Sequence, residues 1–273
     1  MKTILVPVDF SDTSLNAARY ALQFAKQAGA KVILLHAFQE PVRYPVRGGL
    51  ELTKEGLWEV NLDQLRQLQA QFEKAEPFVK TDILHLNGSL PEVIAQVEES
   101  MQIQLVIMGI TGAGKVRETL IGSNTLAVAR QTNLPVIIVP EHARFETVTD
   151  VGLTTDFRDV ADTIPDKKIK EIVYMLGSRL HVLNVDYQHS YSTPDTPFQS
   201  GLVETMFQEL TPHYHFIEHE NIAEGLNDYA ATHGIELLIA IPQKHNLLDR
   251  LFSKSQTKEL VFHSKLPVMV LHD

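Results

Sequence analysis

Residues 104–140 read QLVIMGITGAGKVRETLIGSNTLAVARQTNLPVIIVP, and this stretch decides the fold. It opens with a short apolar run, Leu105–Met108, that is typical of a buried strand. Glycines follow, and Ser123-Asn124 then starts a run with helical spacing. Glycines let backbone N–H groups approach a phosphate closely, and a helix N-terminus adds partial positive charge. We therefore predict that this stretch binds the phosphates of a nucleotide.

The composition is typical of a globular protein. The chain has 273 residues, 44% of them hydrophobic and 21% charged, enough for one large domain or two ordinary ones. Its net charge of −10 argues against nucleic acid or an anionic membrane as the main partner. Without cysteine, disulfides, thiolate metal ligands and cysteine nucleophiles are excluded. We find neither a signal peptide nor an apolar run of ~18 residues, so we expect a cytoplasmic protein.

The first half alternates strands with helices. Apolar, β-branched runs predict strands at Thr3–Val8, Val32–Ala37, Phe78–Leu86, Leu105–Met108 and Val136–Val139. Helical spacing predicts helices at 13–28, 57–75 and 92–100, and a further helix from Ser123. Residues 39–49 contain prolines and glycines without a period, which predicts a loop. This alternation is typical of an open parallel sheet with helices on both faces.

The second half repeats the first. Leu134-Pro135-Val136 recurs as Leu266-Pro267-Val268, an offset of 132 residues. At the same offset, Gln104–Ile107 aligns with the similar run Glu236–Ile239. Such self-similarity predicts two copies of one domain.

The two copies differ in length. Asp9-Phe10 matches Asp156-Phe157 at an offset of 147, so the second copy has a net deletion of 15 residues, which we place between its second and third strands. We predict tandem domains at residues 1–142 and 147–273, each a doubly wound five-stranded α/β domain. Two like domains in one chain are expected to pack as a pseudo-dimer.

The ends of the predicted strands indicate where a ligand binds. In open parallel sheets, ligands bind beyond the carboxyl ends of the strands, where the strand order reverses. Pro7, Val8 and Asp9 end the first strand, Ala37 ends the second, and Met108-Gly109 ends the fourth. If the first and fourth strands are adjacent, these residues meet at one crevice. There, Asp9 accepts hydrogen bonds either from a base or ribose or, as a turn carboxylate, from its own loop.

Two common phosphate motifs are absent. Residues 109–116 come close to the Walker A pattern, but Val116 stands where that motif needs a Ser or Thr for magnesium. No GxGxxG follows the first strand, which excludes the dinucleotide fingerprint. The spacing that is present is Gly109, two residues, Gly112, nine residues, and then Gly122-Ser123.

Together with VPVDFS at residues 6–11, this spacing resembles the ATP-binding subgroup of the universal stress protein family in its tandem two-domain form. The resemblance extends over both halves, about Lys2–Leu271. It implies a five-stranded doubly wound α/β fold and ATP as the ligand, with Mg²⁺ or Mn²⁺. The residues that it places around the nucleotide are Pro7, Val8, Asp9, Ala37, Met108, Gly109, Thr111, Gly112, Gly122, Ser123 and Asn124.

The second half departs from the family's glycine pattern. At the offset of 132, the three glycines become Ile241, Lys244 and Lys254, and only the serine is kept, as Ser255. Side chains at these positions obstruct the approach of backbone to phosphate, although the two lysines can still attract an anion. We therefore predict one nucleotide site per chain, in the first half.

The resemblance implies a regulatory, stress-response protein that binds ATP. A slow ATPase and a nucleotide-independent scaffold for an unidentified protein partner remain as alternatives. We predict no catalytic residue, since no G-x-S-x-G elbow or paired base and nucleophile is recognisable. Exposed edge strands, such as 136–139 and 268–271, could pair between the halves or between two tandem chains in a homodimer.

The twelve histidines raise the question of a metal site. The densest group is His213, His215 and His219, in which alternation puts His213 and His215 on one face of a strand. Two imidazoles at this spacing can hold zinc, but an exposed half-polar strand has the same pattern, and we predict no metal site. His36 and His85 lie within strand patterns and are predicted to be hydrogen-bonded core residues.

Overall fold

The computed structural model describes residues 2–40, 46–47, 50–51, 53–110, 122–186, 196–242, 260–261 and 264–272. The strands of the first half are β1 (Thr3–Pro7), β2 (Lys31–Phe38), β3 (Val46–Arg47), β4 (Leu50–Glu51), β5 (Thr81–Asn87), β6 (Leu105–Gly109) and β7 (Val136–Val139). Its helices are α1 (Asp12–Ala28), α2 (Lys54–Ala75), α3 (Leu90–Ser100) and α4 (Ser123–Gln131).

The second half has the same alternation. Its strands are β8 (Asp150–Thr154), β9 (Arg179–Asp186), β10 (His213–Glu218), β11 (Leu237–Ala240) and β12 (Val268–Val270). Its helices are α5 (Val160–Thr163), α6 (Asp166–Leu176), α7 (Thr196–Phe207) and α8 (Ile222–His233). The helix between the second and third strands, α7, has 12 residues where α2 has 22, which agrees with a deletion in this region.

Ten of the strands in the described residues form one sheet, in the order β10-β9-β8-β11-β12-β7-β6-β1-β2-β5. In this sheet the strands of each half pair in parallel and follow the same spatial order. The halves meet at β7 and β12, which are antiparallel, with Ile137 opposite Met269, and both of these residues are fully buried. The α/β class is confirmed, and the two edge strands pair between the halves.

Helices cover both faces of the sheet. One face packs against α1, α2, α6 and α7, and the other against α3, α4 and α8. The inner strands are therefore buried on both sides, which explains their nearly continuous apolar sequence, whereas the outer strands β5 and β10 are partly exposed. No helix within the described ranges combines the length and apolarity that a membrane crossing needs.

A repeated hydrogen bond confirms the internal alignment. The side-chain oxygen Oε1 of Gln104 accepts the backbone N–H of Thr3 at 2.6 Å, which ties the start of β6 to β1. At the equivalent place, Oε2 of Glu236 accepts the backbone N–H of Asp150 at 2.9 Å, between β11 and β8. The same long-range contact is thus made by aligned residues in both copies.

The sequence-based boundaries need three corrections. The third strand starts at Thr81 and not at Phe78, whose side chain is fully exposed. The second helix starts earlier, at Lys54, because Thr53 caps it by accepting the N–H of Gly56. Residues 39–49 were predicted to be a loop, but residues 46–47 of this range form β3, which pairs antiparallel with β4 just after it.

Candidate functional site

The crevice predicted from the strand ends lies where the strand order reverses, between β1 and β6. Val8 and Asp9 directly follow β1, and the N–H of Val8 still donates to the carbonyl of Leu35 in β2 at 2.8 Å. Gly109 is the last residue of β6, and Ala37 lies half-buried near the end of β2. The structure thus places the predicted residues from three strands at one edge of the sheet.

Asp9 organises the loop between β1 and α1. Its Oδ1 accepts the backbone N–H of Ser11 at 3.1 Å and the hydroxyl of Ser11 at 2.6 Å. Ser11 in turn caps α1 by accepting the N–H of Ser14 at 3.3 Å. Phe10, between them, has a left-handed backbone with φ of 64°, which a bulky residue adopts only when its surroundings require it.

The second half contains the same turn. Asp156 Oδ1 accepts the N–H of Arg158 at 3.1 Å, and Phe157 has a φ of 54°. The turn role of the aspartate is therefore present in both halves. A ligand role for Asp9 remains a prediction.

Gly109 has a packing reason to be glycine. A Cβ atom added at this position would lie 2.9 Å from Thr13 Cγ2 and 3.0 Å from the Thr13 carbonyl oxygen. The first turn of α1 therefore passes so close to the end of β6 that a side chain does not fit. This requirement comes from α1 and is independent of any phosphate.

The N-terminus of α4 is the candidate phosphate site. Its N-cap is Gly122, which has no side chain to cap the first turn. Ser123 and Asn124, the first two helical residues, are exposed. The first N–H groups of a helix lack partners within the helix, so this end suits an anion.

The ends of the glycine-rich loop are clamped together above β6. The N–H of Gly122 donates to the carbonyl of Ile110 at 2.8 Å, and the buried hydroxyl of Thr125 donates to the carbonyl of Gly109 at 2.9 Å. These bonds fix the start of α4 next to the end of β6. The glycine pattern of the sequence does not indicate this role of Thr125. The predicted site residues Thr111 and Gly112 lie outside the described residues.

The equivalent end of the second half is built differently. Ile241, at the position of Gly109, packs against the core on the face that α6 covers. The counterpart of α1 is divided into α5 and α6, with Pro165 as the N-cap of α6. The second half thus has an isoleucine where its helix is divided, and the first half has a glycine where α1 is continuous. Lys244, Lys254 and Ser255 lie outside the described residues.

An aromatic cluster lies beside the crevice, on the face covered by α1 and α2. Nδ1 of His36 contacts the carbonyl oxygen of Val8 at 2.7 Å, as predicted for a hydrogen-bonded core histidine. Asn184 makes the equivalent bond in the second half, donating to the carbonyl of Thr155 at 2.7 Å. Burial lowers the pKa of His36.

The prediction for His85 was wrong. Its ring stacks on Trp58 of α2 with a centroid distance of 3.7 Å, and neither of its buried ring nitrogens has a hydrogen-bond partner. Burial, followed by the nearby charge of His36, lowers the pKa of His85 to about 4. The neutral ring is therefore the native form at neutral pH.

We expect His85→Phe to stabilise the protein by about 1–2 kcal/mol, because it removes two unsatisfied polar atoms and keeps the stacked shape. Since the folded pKa lies below the ordinary value of 6.5, the histidine costs stability as the pH falls from about 6.5 to about 4. The gain should therefore increase in acid. Urea unfolding at neutral and acidic pH measures this, with His142→Phe at an exposed site as the control. A loss of stability at both pH values would contradict it.

Comparison with known proteins identifies the family. The model of the universal stress protein family matches residues 1–140 and again residues 153–272. The chain belongs to the universal stress protein family. A universal stress protein of Methanocaldococcus jannaschii is 30% identical over 140 residues, which are 50% of this chain and 81% of that protein. Most of this relative thus corresponds to half of the tandem chain.

Solved structures agree with the tandem architecture. A universal stress protein of Archaeoglobus fulgidus has a TM-score of 0.71 at 18% identity and covers 99% of this chain, and this chain covers 98% of it. That similarity shows the fold over both halves. A further universal stress protein, solved in complex with cAMP, covers 50% of this chain at 24% identity with a TM-score of 0.39.

The three histidines that are densest in the sequence separate into two places, and the two predicted to share a strand face do so. His213 and His215 share one face of β10, with ring centroids 6.5 Å apart. His219 lies beyond the strand, where its Nδ1 contacts the backbone of Asn221 at 2.7 Å. In the part of the chain that the structure describes, no three His, Asp or Glu side chains are placed to hold a metal ion.

Proposed function

We propose that this universal stress protein binds ATP, with Mg²⁺ or Mn²⁺, at the crevice of its first half and acts as a nucleotide-dependent regulatory protein in the stress response. The observation that carries the proposal is the position of α4. Its uncapped, exposed N-terminus is joined by the Gly122–Ile110 hydrogen bond to the end of β6, next to the reversal of strand order.

The neighbouring groups suit the rest of a nucleotide. Asp9 carries a carboxylate just beyond β1, and the half-buried Ala37 offers apolar surface for a base, whereas Val8 is only 4% exposed. Magnesium usually keeps several waters and binds through phosphate oxygens and one or two carboxylates. A cation would therefore enter with the triphosphate, and we assign Asp9 as the nearby carboxylate that would bind it.

The sharpest test removes one N–H group from α4 without disturbing the helix. Ser123→Pro deletes the N–H of the first helical residue, a position where proline is favoured, and Gly122 already has a ψ of 143° that a following proline accepts. Losing one charge-assisted hydrogen bond of about 1.5–3 kcal/mol should weaken ATP binding about 10- to 100-fold. Isothermal titration calorimetry with ATP, AMP and cAMP measures the change.

Two controls separate the possible causes. Ser123→Ala keeps the N–H and removes only the hydroxyl, so it should bind ATP more tightly than Ser123→Pro. Lys54→Pro places proline at the exposed first position of α2 and should leave ATP binding unchanged. Unaltered binding by Ser123→Pro would place the phosphates elsewhere.

The wild-type protein tests the proposal itself. Mass spectrometry of ligand released from the purified protein should detect an adenine nucleotide, and ATP should raise the melting temperature. If no nucleotide is released and calorimetry detects no binding of ATP, the proposal is overturned in favour of the nucleotide-independent scaffold. Steady release of ADP would instead assign slow ATPase activity.

A further inference from the structure

Four histidines gather at the outer edge of the second half, far in sequence from the candidate nucleotide site. His181 belongs to β9, His213 and His215 to the edge strand β10, and His233 to the last turn of α8. We call them the histidine cluster. The ring centroid of His181 lies 5.2 Å from that of His213 and 5.3 Å from that of His215, and His215 lies 6.1 Å from His233.

A chain of hydrogen bonds runs through the cluster. Nε2 of His181 contacts Oδ1 of the buried Asp150 at 2.7 Å, and its Nδ1 contacts Nε2 of His215 at 3.1 Å. Because a carboxylate only accepts, His181 donates from Nε2. In the neutral cluster, its Nδ1 then accepts the N–H of His215.

This arrangement tolerates one extra proton but not two. If either His181 or His215 becomes an imidazolium, one N–H between the rings still has an acceptor. If both do, two N–H donors face each other at 3.1 Å and the hydrogen bond is lost. The two positive charges then also repel across a half-buried contact.

Among the charged neighbours, Asp150 counteracts this repulsion at His181, whereas it does not contact His215. On β8 and β9, Asp150 is the facing carboxylate, and it already accepts hydrogen bonds from Arg179 at 2.8 and 2.6 Å. On β10, the neighbouring titratable group is His213. On α8, Tyr229 stacks on His233 at 3.8 Å and lies 4.9 Å from the ring of His215.

We propose that the histidine cluster is an acid-sensitive contact that holds β10 and the last turn of α8 in place until both His181 and His215 are protonated, and then releases them. β10 is the edge strand of the sheet, paired only with β9 in the described residues, so its position depends on these contacts. Imidazoles change charge within the physiological pH range, which makes such a cluster suited to sensing acid.

The lowered pKa of His215 agrees with a contact that weakens in acid. Burial, and then the charges of His181, His233 and His213, lower its pKa below the ordinary 6.5. A base with a lowered folded pKa stabilises the fold above its unfolded pKa and loses that contribution as the pH falls. The contact should therefore weaken below about pH 6.5.

Hydrogen exchange measured by mass spectrometry tests the proposal. Between about pH 7.5 and 5.5, after correction for intrinsic rates, amides of 213–218 and 229–233 should open about tenfold more than those of β1 and β6. β1 and β6 are the reference because acid effects of His85 are centred on β5 and α2. An equal response of both regions would overturn the proposal.

A substitution identifies the group responsible. His215→Gln keeps an N–H that can donate to Nδ1 of His181 but does not titrate, so the acid-induced opening should fall at least about threefold. His142→Gln, at an exposed position outside the cluster, should behave like the wild type. The same acid-induced opening in His215→Gln as in the wild type would overturn the proposal.

A measurement on the wild type covers the case in which that variant does not fold. Nuclear magnetic resonance follows the protonation of each imidazole in the cluster. Because the charges of its neighbours act on His215, we expect its protonation to extend over a wider pH range than a single-proton curve. A single-proton curve for His215 would overturn the proposal.

Discussion

Gly109→Val is expected to destabilise the protein by about 3 kcal/mol and to displace the first turn of α1. The new side chain would start 2.9 Å from Cγ2 and 3.0 Å from the carbonyl oxygen of Thr13. The carbonyl belongs to the backbone of a helix that is buried along most of its length, so it has little room to move. Thermal and urea unfolding measure the loss.

Gly201→Val is the matched control, since a Cβ atom added at Gly201 meets nothing within 4 Å. Gly201 lies in helix α7, where valine has a slightly better helix propensity than glycine, so we expect a change within about 0.5 kcal/mol. Equal stability of the two variants would show that α1 adjusts without cost. The second half argues against such a free adjustment, because the helix is divided where Ile241 replaces the glycine.

The fold was largely predictable because both halves use local, periodic signals. Strands such as Val136–Val139 are short apolar runs, and α1 is bounded by a capping serine and a glycine in the left-handed conformation. The repeated Asp-Phe pair marks a repeated turn, since Phe10 and Phe157 share the same rare backbone conformation. These features depend on neighbours in sequence.

Features that depend on distant contacts were not predictable. The packing of Gly109 against Thr13 joins the end of β6 to the start of α1. His85 was expected to be hydrogen-bonded, but it stacks on Trp58, a contact that only the packing of α2 on β5 reveals.

The histidine group shows the same limit. The spacing in the sequence predicts that His213 and His215 share one face of a strand, and they do. His219 is close to them in the sequence but lies beyond the strand. His181 joins them because β9 pairs with β10 in a register that puts His181 opposite His213. Only the strand pairing contains that information.

Asp150→Ala is expected to destabilise the protein by about 3 kcal/mol, because it removes a buried acceptor from several donors at once. The carboxylate of Asp150 is 4% exposed and accepts hydrogen bonds from Arg179, His181 and the hydroxyl of Thr149. Arg179 is 68% exposed and stays hydrated without its partner. Most of the cost therefore comes from the ring N–H of His181, which is 12% exposed.

The pH dependence distinguishes this explanation from a simple cavity. Burial alone would raise the pKa of Asp150, but hydrogen bonds from Arg179, His181 and Thr149 outweigh it and lower the pKa to about 2. A carboxylate with a depressed pKa stabilises the fold above its ordinary pKa of 3.8 and loses that contribution as the pH falls towards 2. The difference between wild type and Asp150→Ala should therefore shrink between about pH 4 and pH 2.

Two further variants complete the comparison. Asp150→Asn keeps an oxygen for His181 but no charge, so it should lose less stability than Asp150→Ala and show no acid transition of its own. Asp63→Ala removes an exposed carboxylate paired with Arg66 and should cost at most about 0.5 kcal/mol. If the deficit of Asp150→Ala instead stays constant down to pH 2, the lost contribution is packing, and the ionised carboxylate does not hold His181 and the edge of the second half.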